Sequence, residues 1–434
     1  MTSGTGTESK ARKAIKKKYA RPQENRIKRF IGEVDRPFAI IVVLLVCVGL
    51  VTVFSSSYAF ADKYYHDSYY LSKPQLLFAV AGLALMAALA FFPSKLVKLM
   101  YAAAPWIYVL SLLLNIAVLF IGVTIAGARR WIKLGPLPQF QPSEFLKISI
   151  VLMCARYTTK YQDKMNTFLY GFGGFLIIGL IAAATTLMQN HLSATIICIM
   201  ITFAMMIVSS ASARFIGAGL GVMGVGILSA FTWARPILER FISHSFVRIK
   251  IWENPFDYLA PETGGKGWQP VQSLFAISSG GFWGVGIGRS IQKHGYLPEP
   301  YNDYIFAILC EETGFFGALL VIILFGLFAW RGYRIALRSK DRFASLVVFG
   351  ITSHVILQVL MNLAVVTNTI PSTGISLPFF SHGGTSLIIL LLEMGVILAI
   401  SRFSYEDGTE KNELPAKRED ALADHNSDRT EAIA

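Results

Sequence analysis

An all-α integral membrane protein of ten transmembrane helices, with a large external loop between the seventh and the eighth, is the fold class this sequence predicts. Three observations predict it. Of 434 residues, 54% are hydrophobic and only 15% charged, and the mean hydropathy is +0.52, outside the range of soluble globular chains. Apolar runs long enough to cross a hydrocarbon core about 30 Å thick recur along the chain. The basic residues gather in short connections that alternate with those runs, as the positive-inside rule requires.

The runs cover 38–56, 76–92, 104–122, 142–158, 168–188, 194–210, 214–233, 311–330, 344–366 and 384–402. The net charge of +13 is not a nucleic-acid signature, because it sits in the leading segment Lys10–Lys18 and in short loops. Placing the N-terminus in the cytoplasm puts Lys95, Lys98, the stretch 156–164 and the cluster Arg331, Arg334, Arg338, Lys340 and Arg342 on the inner side, where anionic lipid also attracts them. Residues 1–35 then form a basic cytoplasmic segment, 36–403 the membrane domain with its external loop at 234–302, and 404–434 a polar, disordered cytoplasmic tail. No cleavable signal peptide is expected, so the first helix acts as its own insertion signal. Cys47, Cys154, Cys198 and Cys310 lack metal-ligand spacing and read as small buried hydrophobes.

With this topology the unusual residues face outward. In the loop at 123–141, Arg129, Arg130 and Lys133 break the positive-inside rule, and Pro142 fits the first position of the helix that follows. Glu144 falls in the first turn of that helix and Lys147 three residues later on the same face. A central Lys costs roughly 2.5–3.5 kcal/mol to insert. The helix N-terminus flanked by Arg130 and Lys147 is therefore an anion-site candidate; the bland alternative is that Glu144 and Lys147 pair while the arginines reach for headgroups. The long stretch 264–303 mixes Gly, aromatics and amphipathic pieces and is expected to fold back against the bundle, which implies a cavity. Its Gly284-Val-Gly-Ile-Gly288 run departs from a dinucleotide fingerprint and reads as close packing. Asp303 opens the eighth helix, where an acid could be only a cap. Glu311 and Glu312 lie about 12–14 Å further along the axis, too far to pair with Asp303, and are expected to pair with a cation such as Lys147 or Arg130.

The outer face of a cell membrane has no supply of ATP or sugar nucleotides, so an enzyme there needs substrates that carry their own activation. Lipid-linked diphosphates do. Their leaving group is already a stable anion, so a base for the incoming hydroxyl and cations for the phosphates suffice. One external carboxylate beside a basic cluster meets that demand, as would a transporter of an anionic lipid.

The motifs GARRW-x-x-LG-x(5)-QPSE-x-x-K at 127–147, QSL-x-AI-x-SGG-x-x-G-x-G-x-G-x-S-x-x-K at 272–293, LPE-x-x-x-D-x-IFA-x-x-x-EE-x-G at 297–314 and P-x-TGI-x-LPF-x-S-x-GG-x-S at 371–386 closely resemble the SEDS family of FtsW, RodA and SpoVE. The similarity runs from about Asp35 to Ser404. The resemblance implies a ten-helix SEDS fold and a peptidoglycan glycosyltransferase that polymerises lipid II into the growing glycan strand on the outer face of the cytoplasmic membrane. The partner it implies is a class B penicillin-binding protein, the transpeptidase that cross-links the strands. Asp303 matches the family's essential aspartate and would take the proton from the acceptor hydroxyl. Attack with inversion would release undecaprenyl pyrophosphate. Arg130, Glu144 and Lys147 match family positions in the outer cavity, with Arg130 and Lys147 assigned to the diphosphate. A divalent cation, Mg2+ or Mn2+, is expected to share that task, and no nucleotide cofactor is expected. Lys293, Glu299 and Ser381 are further candidates for binding or loop shape, and Glu311, Glu312 and Gln272 for the cavity's structure.

The chain departs from the family in three places. Gln189-Asn-His-Leu-Ser193 stands where QPDLG is common, Tyr301-Asn302 where His-Thr precedes the aspartate, and His382 where Tyr is usual. His191 is expected to be a loop residue and not a substitute acid. The two polar tails favour a division or sporulation member. A lipid II transporter and a non-catalytic scaffold for the transpeptidase remain the alternatives.

Overall fold

The computed structural model describes residues 33–125, 128–133, 139–209, 243–259 and 267–402, together with Gly217, Gly219, Gly221 and Gly224. The expected seventh span at 214–233 and nearly all of both tails lie outside the described residues.

Helix α1 (Arg36–Tyr65) starts where the Asp35 carboxylate accepts from the Phe38 amide and Pro37 supplies a preset φ. It runs nine residues past the apolar stretch read from the sequence, ending on the aromatic segment with His66 in the left-handed region. Helices α2 (Ser72–Ala90) and α3 (Pro93–Ile121) follow. A short ribbon of β1 (Val123–Ile125) and β2 (Ala128–Trp131) then departs from the all-α expectation, pairing Thr124 with Arg129 and Val123 with Trp131. Helix α4 is Pro142–Lys160, α5 is Gly174–Met188 entered through a π-turn at Leu169–Gly173, and α6 is Leu192–Val208. The long connection before the next membrane helix contributes α7 (Ser243–Glu253) and α8 (Trp268–Gly280). The bundle closes with α9 (Ile305–Arg338), α10 (Arg342–Val366) and α11 (Gly384–Ser401).

Seven of these helices are long and apolar enough to cross a membrane: α1, α2, α3, the segment Leu169–Met188, α9, α10 and α11. Charged residues at 144, 147, 156 and 160 keep α4 out of that set, and α6 has only 17 residues. The chain is an all-helical multi-pass membrane protein apart from its small ribbon. Helix α10 is the central post, packed against α4, α6, α8, α9 and α11, while α2 packs along α11. Some polar residues in the core pair with each other: Arg331 Nε lies 2.9 Å from the Asp35 carboxylate, and the Asp35 amide donates to Ser401 Oγ at 3.1 Å. Cys154, Cys198 and Cys310 are buried as expected, but Cys47 is exposed on the outside of α1, where a small apolar side chain is equally at home.

Helix α9 is not continuous. Gly314 has φ 66° and ψ −166°, and beside the break the irregular segment 281–286 hydrogen-bonds to it. The amides of Val285 and Gly286 donate to the carbonyls of Glu311 and Glu312 at 2.9 and 3.0 Å, and the amide of Phe315 donates to the Gly281 carbonyl at 2.9 Å. The glycines make this approach possible: a Cβ on Gly284 would collide with the Glu312 carbonyl, and Gly284 has φ +77°. The stretch between α8 and α9 thus folds back onto the bundle, its irregular backbone satisfied by the backbone it meets.

Candidate active site at one end of the bundle

Asp303 sits in the turn before α9, whose N-cap is Tyr304 without a side-chain cap bond. The carboxylate therefore does not cap the helix, contrary to the bland reading. The backbone around it is held from three sides. Asn362 Nδ2 on α10 donates to the Asp303 carbonyl at 2.7 Å and to the Ile375 carbonyl at 2.6 Å. Ser381 Oγ donates to the Asn302 carbonyl at 2.9 Å while accepting from the Leu377 amide at 2.7 Å. The His382 amide donates to the Tyr301 carbonyl at 2.9 Å. The 371–383 loop passes directly beneath the carboxylate, since a Cβ on Gly374 would lie 3.2 Å from Asp303 Oδ2. Ser381 thus shapes the loop. Glu299, exposed and with φ 47°, accepts from Asn302 Nδ2 at 2.8 Å and stands near enough to act on Asp303.

Burial foremost, and then the Glu299 charge, push the Asp303 carboxyl up to about 6, while Arg130 and Arg248 pull it back. Strand alternation turns Arg130 away from the exposed Arg129, and its guanidinium donates to the Asn190 carbonyl while its Nε is buried without a hydrogen bond. Arg248 on α7 donates to the Ser372 carbonyl at 3.2 Å, and Trp252 one turn later donates to the Asn368 carbonyl at 2.9 Å. Burial and the repulsion of Arg248 lower Arg130 below the usual arginine value. Two guanidinium groups therefore share the surroundings of one carboxylate. The sequence reading missed Arg248; its signal was a lone Arg inside the aromatic run Phe246-Val-Arg-Ile-Lys-Ile-Trp252.

His191 occupies the N-cap position of α6 and is 6% exposed. Burial first, then the charges of Arg130, Lys147 and Arg248, drive it down to about 3, so it is neutral at physiological pH. It replaces no acid: three cations converge where a carboxylate was in question.

Lys147 is 2% exposed. Its ammonium lies 2.9 Å from each Glu144 oxygen and 2.7 Å from Gln358 Oε1, so its three N–H donors all have acceptors within the protein. The diphosphate role expected of Lys147 does not match this placement. It stands behind Glu144, and Glu144 is the member of the pair that lines a cavity with His354, Gln358, Ser376, Ser381 and Glu393.

Two further expectations are corrected. Glu312 pairs with Lys293, Oε1 to Nζ at 2.6 Å, and accepts from Ser55 Oγ at 2.7 and 2.6 Å; neither Lys147 nor Arg130 is its partner. Lys293, a substrate-binding candidate in the sequence, is instead buried in this pair and also lies over the Tyr58 ring at 4.6 Å. The loop between α8 and α9 carries Lys293 inward because Glu311 anchors it, accepting from Ser290 Oγ and from the Ile291 amide at 2.9 Å. Gln272 is buried on α8. Among the described residues no group of three or more His, Cys, Asp or Glu is placed to hold a metal ion.

The chain is similar to known proteins over most of its length. Residues 35–406 match the sequence profile of the FtsW/RodA/SpoVE cell cycle proteins. Stage V sporulation protein E of Bacillus subtilis is 37% identical over 376 residues, spanning 85% of this chain and 97% of that protein. A protein of the same organism called probable peptidoglycan glycosyltransferase FtsW is 34% identical over 394 residues, spanning 89% and 95%. A solved structure described as showing structural coordination of polymerization and crosslinking by a peptidoglycan synthase complex superposes with a TM-score of 0.70 at 26% identity, covering 86% of this chain and 99% of that one. The rod shape determining protein RodA of Thermus thermophilus superposes with a TM-score of 0.60 at 25% identity, covering 86% and 98%. With the match extending from the first turn of α1 to the end of α11, this chain belongs to the FtsW/RodA/SpoVE family of cell cycle proteins.

Proposed function

We propose that the chain polymerises lipid II into glycan strands at the outer face of the cytoplasmic membrane, both termini lying in the cytoplasm. The observation that carries this reading is Asp303: a carboxylate that does no capping, raised to about 6, lying over the 371–383 loop and facing two guanidinium groups. Above that value it is ionised and can take the proton from an acceptor sugar hydroxyl; the oxygen attacks the donor's anomeric carbon with inversion, and undecaprenyl pyrophosphate departs. Arg130 and Arg248 bind the diphosphate and stabilise the charge it gains as the bond breaks. Lys147 holds Glu144 fixed in the cavity wall. A divalent cation would arrive on the diphosphate. The likeness to sporulation and FtsW-type relatives supports a role in division or sporulation, with a class B penicillin-binding protein cross-linking the product.

The test is a gel of products from labelled lipid II, supplied with Mg2+ or Mn2+ and with the transpeptidase partner, for the wild type and Asp303→Asn. A glycan ladder that disappears in a folded Asp303→Asn protein supports the reading. A ladder that survives the substitution removes Asp303 as the base, and no ladder from either protein returns the chain to the transporter and scaffold alternatives.

A further inference from the structure

The aromatic residues of α1 and of the turn that follows it form a path of rings that ends at the Asp303 turn. Tyr65 closes α1, about 13 Å beyond the apolar stretch that ends at residue 56. His66, in the left-handed region, reverses the chain there. Asp67 fixes the reversal, its carbonyl accepting from the Tyr70 amide at 3.0 Å and its carboxylate from the Tyr69 amide at 2.9 Å. Tyr70 is thereby laid on Tyr65, with ring centroids 4.0 Å apart and planes 12° from parallel. Phe60, on the same helix, lies 6.4 Å from the Tyr65 ring, 4.5 Å from Tyr64 and 5.1 Å from Tyr301. Tyr301 is buried, packs edge-on against His382 at 5.8 Å, and stands two residues before Asp303. Tyr301 and His382 are two of the chain's departures from its family, and they exchange a Tyr and a His within one contact, which sets a phenol ring against Phe60.

We propose that this path is a binding surface for the saccharide chain of the growing glycan strand, holding it beside Asp303 between additions; the proposal rests on the polymerase reading above. Sugar rings present faces of weakly positive C–H groups, which sit on the negative face of an aromatic ring, while tyrosine hydroxyls meet the sugar hydroxyls at the edges. The surface is open where a strand would lie, because Tyr65 is 47% and Tyr70 50% exposed. It is also neutral: Asp62 and Asp67 balance Lys63 and Lys73, and Lys73 Nζ lies 3.1 Å from Asp67 Oδ2. An anionic lipid headgroup calls for surplus cations, whereas an N-acetylated sugar backbone carries no charge to answer. A belt of interfacial aromatics encircles a membrane protein at headgroup level. This path runs inward instead, each ring in contact with the next, from half-exposed Tyr70 to buried Tyr301. Its open end is fixed by the hydrogen bonds of the turn, so little order is lost when a ligand stacks on it.

The test compares strand lengths made from labelled lipid II, at equal substrate consumption, by the wild type and by Tyr65→Ala combined with Tyr70→Ala. Losing two stacking rings should speed release of the strand about tenfold, and the strands should shorten by a similar factor. Tyr65→Phe combined with Tyr70→Phe keeps the rings and should restore most of the length. Equal lengths for the alanine variant and the wild type overturn the proposal. So does an equal shortening in Trp106→Ala, an exposed ring on α3 outside the path, since the effect would then be one of seating in the bilayer. Shortening that appears only when the transpeptidase is present assigns the path to that protein and likewise overturns the proposal. Binding is read separately by titrating the chitin tetrasaccharide, an uncharged chain of N-acetylglucosamine, into the protein in nanodiscs and following the sugar by nuclear magnetic resonance. Binding that the alanine variant weakens about tenfold supports the proposal; equal binding by both proteins, or none by the wild type at millimolar sugar, overturns it. If the wild type makes no strands at all, the polymerase reading fails and the tetrasaccharide alone judges the surface.

Discussion

Asn362 and Asp303 are joined by a hydrogen bond of 2.7 Å from side-chain amide to backbone carbonyl, and the second proton of the same amide reaches the Ile375 carbonyl at 2.6 Å. One side chain of the central post thus sets both the turn that presents the carboxylate and the loop beneath it. Asn362→Leu should leave two carbonyls unpaired, lowering stability by roughly 1–3 kcal/mol for each that stays buried. Polymerisation should drop at least about tenfold through kcat, because a small misplacement of a base is enough. Thermal unfolding in detergent alongside steady-state kinetics checks both parts, and unchanged kcat would dismiss the positioning role.

The pH dependence has a definite sign. Below about 6 Asp303 carries a proton and cannot accept another, so activity should fall about tenfold per pH unit on the acid side and level off above. Stability runs the other way. The folded value lies above the 3.8 of a free aspartate, so ionisation disfavours the fold, and the protein should gain stability as pH falls through the folded value. Asp303→Asn should abolish activity and raise the melting temperature at neutral pH; a lower melting temperature would show the ionised carboxylate to be structurally stabilising.

Lys293 and Glu312 form a buried ion pair 2.6 Å long. Lys293→Met alone leaves Glu312 without its cation and should cost about 3–5 kcal/mol, whereas Lys293→Met with Glu312→Leu should recover much of the loss. Melting temperatures of the two variants and of Glu312→Leu decide it, and equal losses for single and double variants would speak against a coupled pair.

Gly284→Ala adds a methyl against the Glu312 carbonyl at a φ of +77°. The segment 281–286 cannot then lie against α9. Reduced expression and lost thermal stability are expected, while Gly288→Ala, with φ +82° but open space around it, should carry only the milder backbone strain. Similar melting temperatures for the two variants would rule out the close approach as the constraint.

Arg248→Ala should raise KM for lipid II more than it lowers kcat if the guanidinium holds the diphosphate in both ground and transition states. It should also lift the acid limb of the pH profile, since Arg248 helps hold Asp303 down. A profile that does not move would separate Arg248 from Asp303.

Much of the bundle was legible because hydropathy acts over whole helices and survives local irregularity. The spans at 76–92, 168–188, 344–366 and 384–402 fall close to observed helices. Partner choice was less legible, because it depends on which turn faces which. Glu312 could have met any cation in the bundle, and only the inward course of the loop anchored on Glu311 brings Lys293 to it. Arg130 and Asp303 were found through motif residues, whereas Arg248 sits on a helix whose docking onto the 371–383 loop no periodicity announces. The three-residue spacing offered the Glu144–Lys147 pair only as the alternative to a diphosphate role, and the third acceptor, Gln358, lies 211 residues away.

The break at Gly314 changes what α9 can transmit. An unbroken helix of 34 residues would act as a lever, carrying any tilt of its long apolar shaft straight to the turn that bears Asp303. Here the shaft from Phe315 onward and the short segment from Ile305 are separated by one non-helical residue, and the segment 281–286 is bonded on both sides of it. The two parts of α9 are thus joined through that segment and not through a continuous helix, and the turn that carries Asp303 takes its alignment from Asn362 and Ser381.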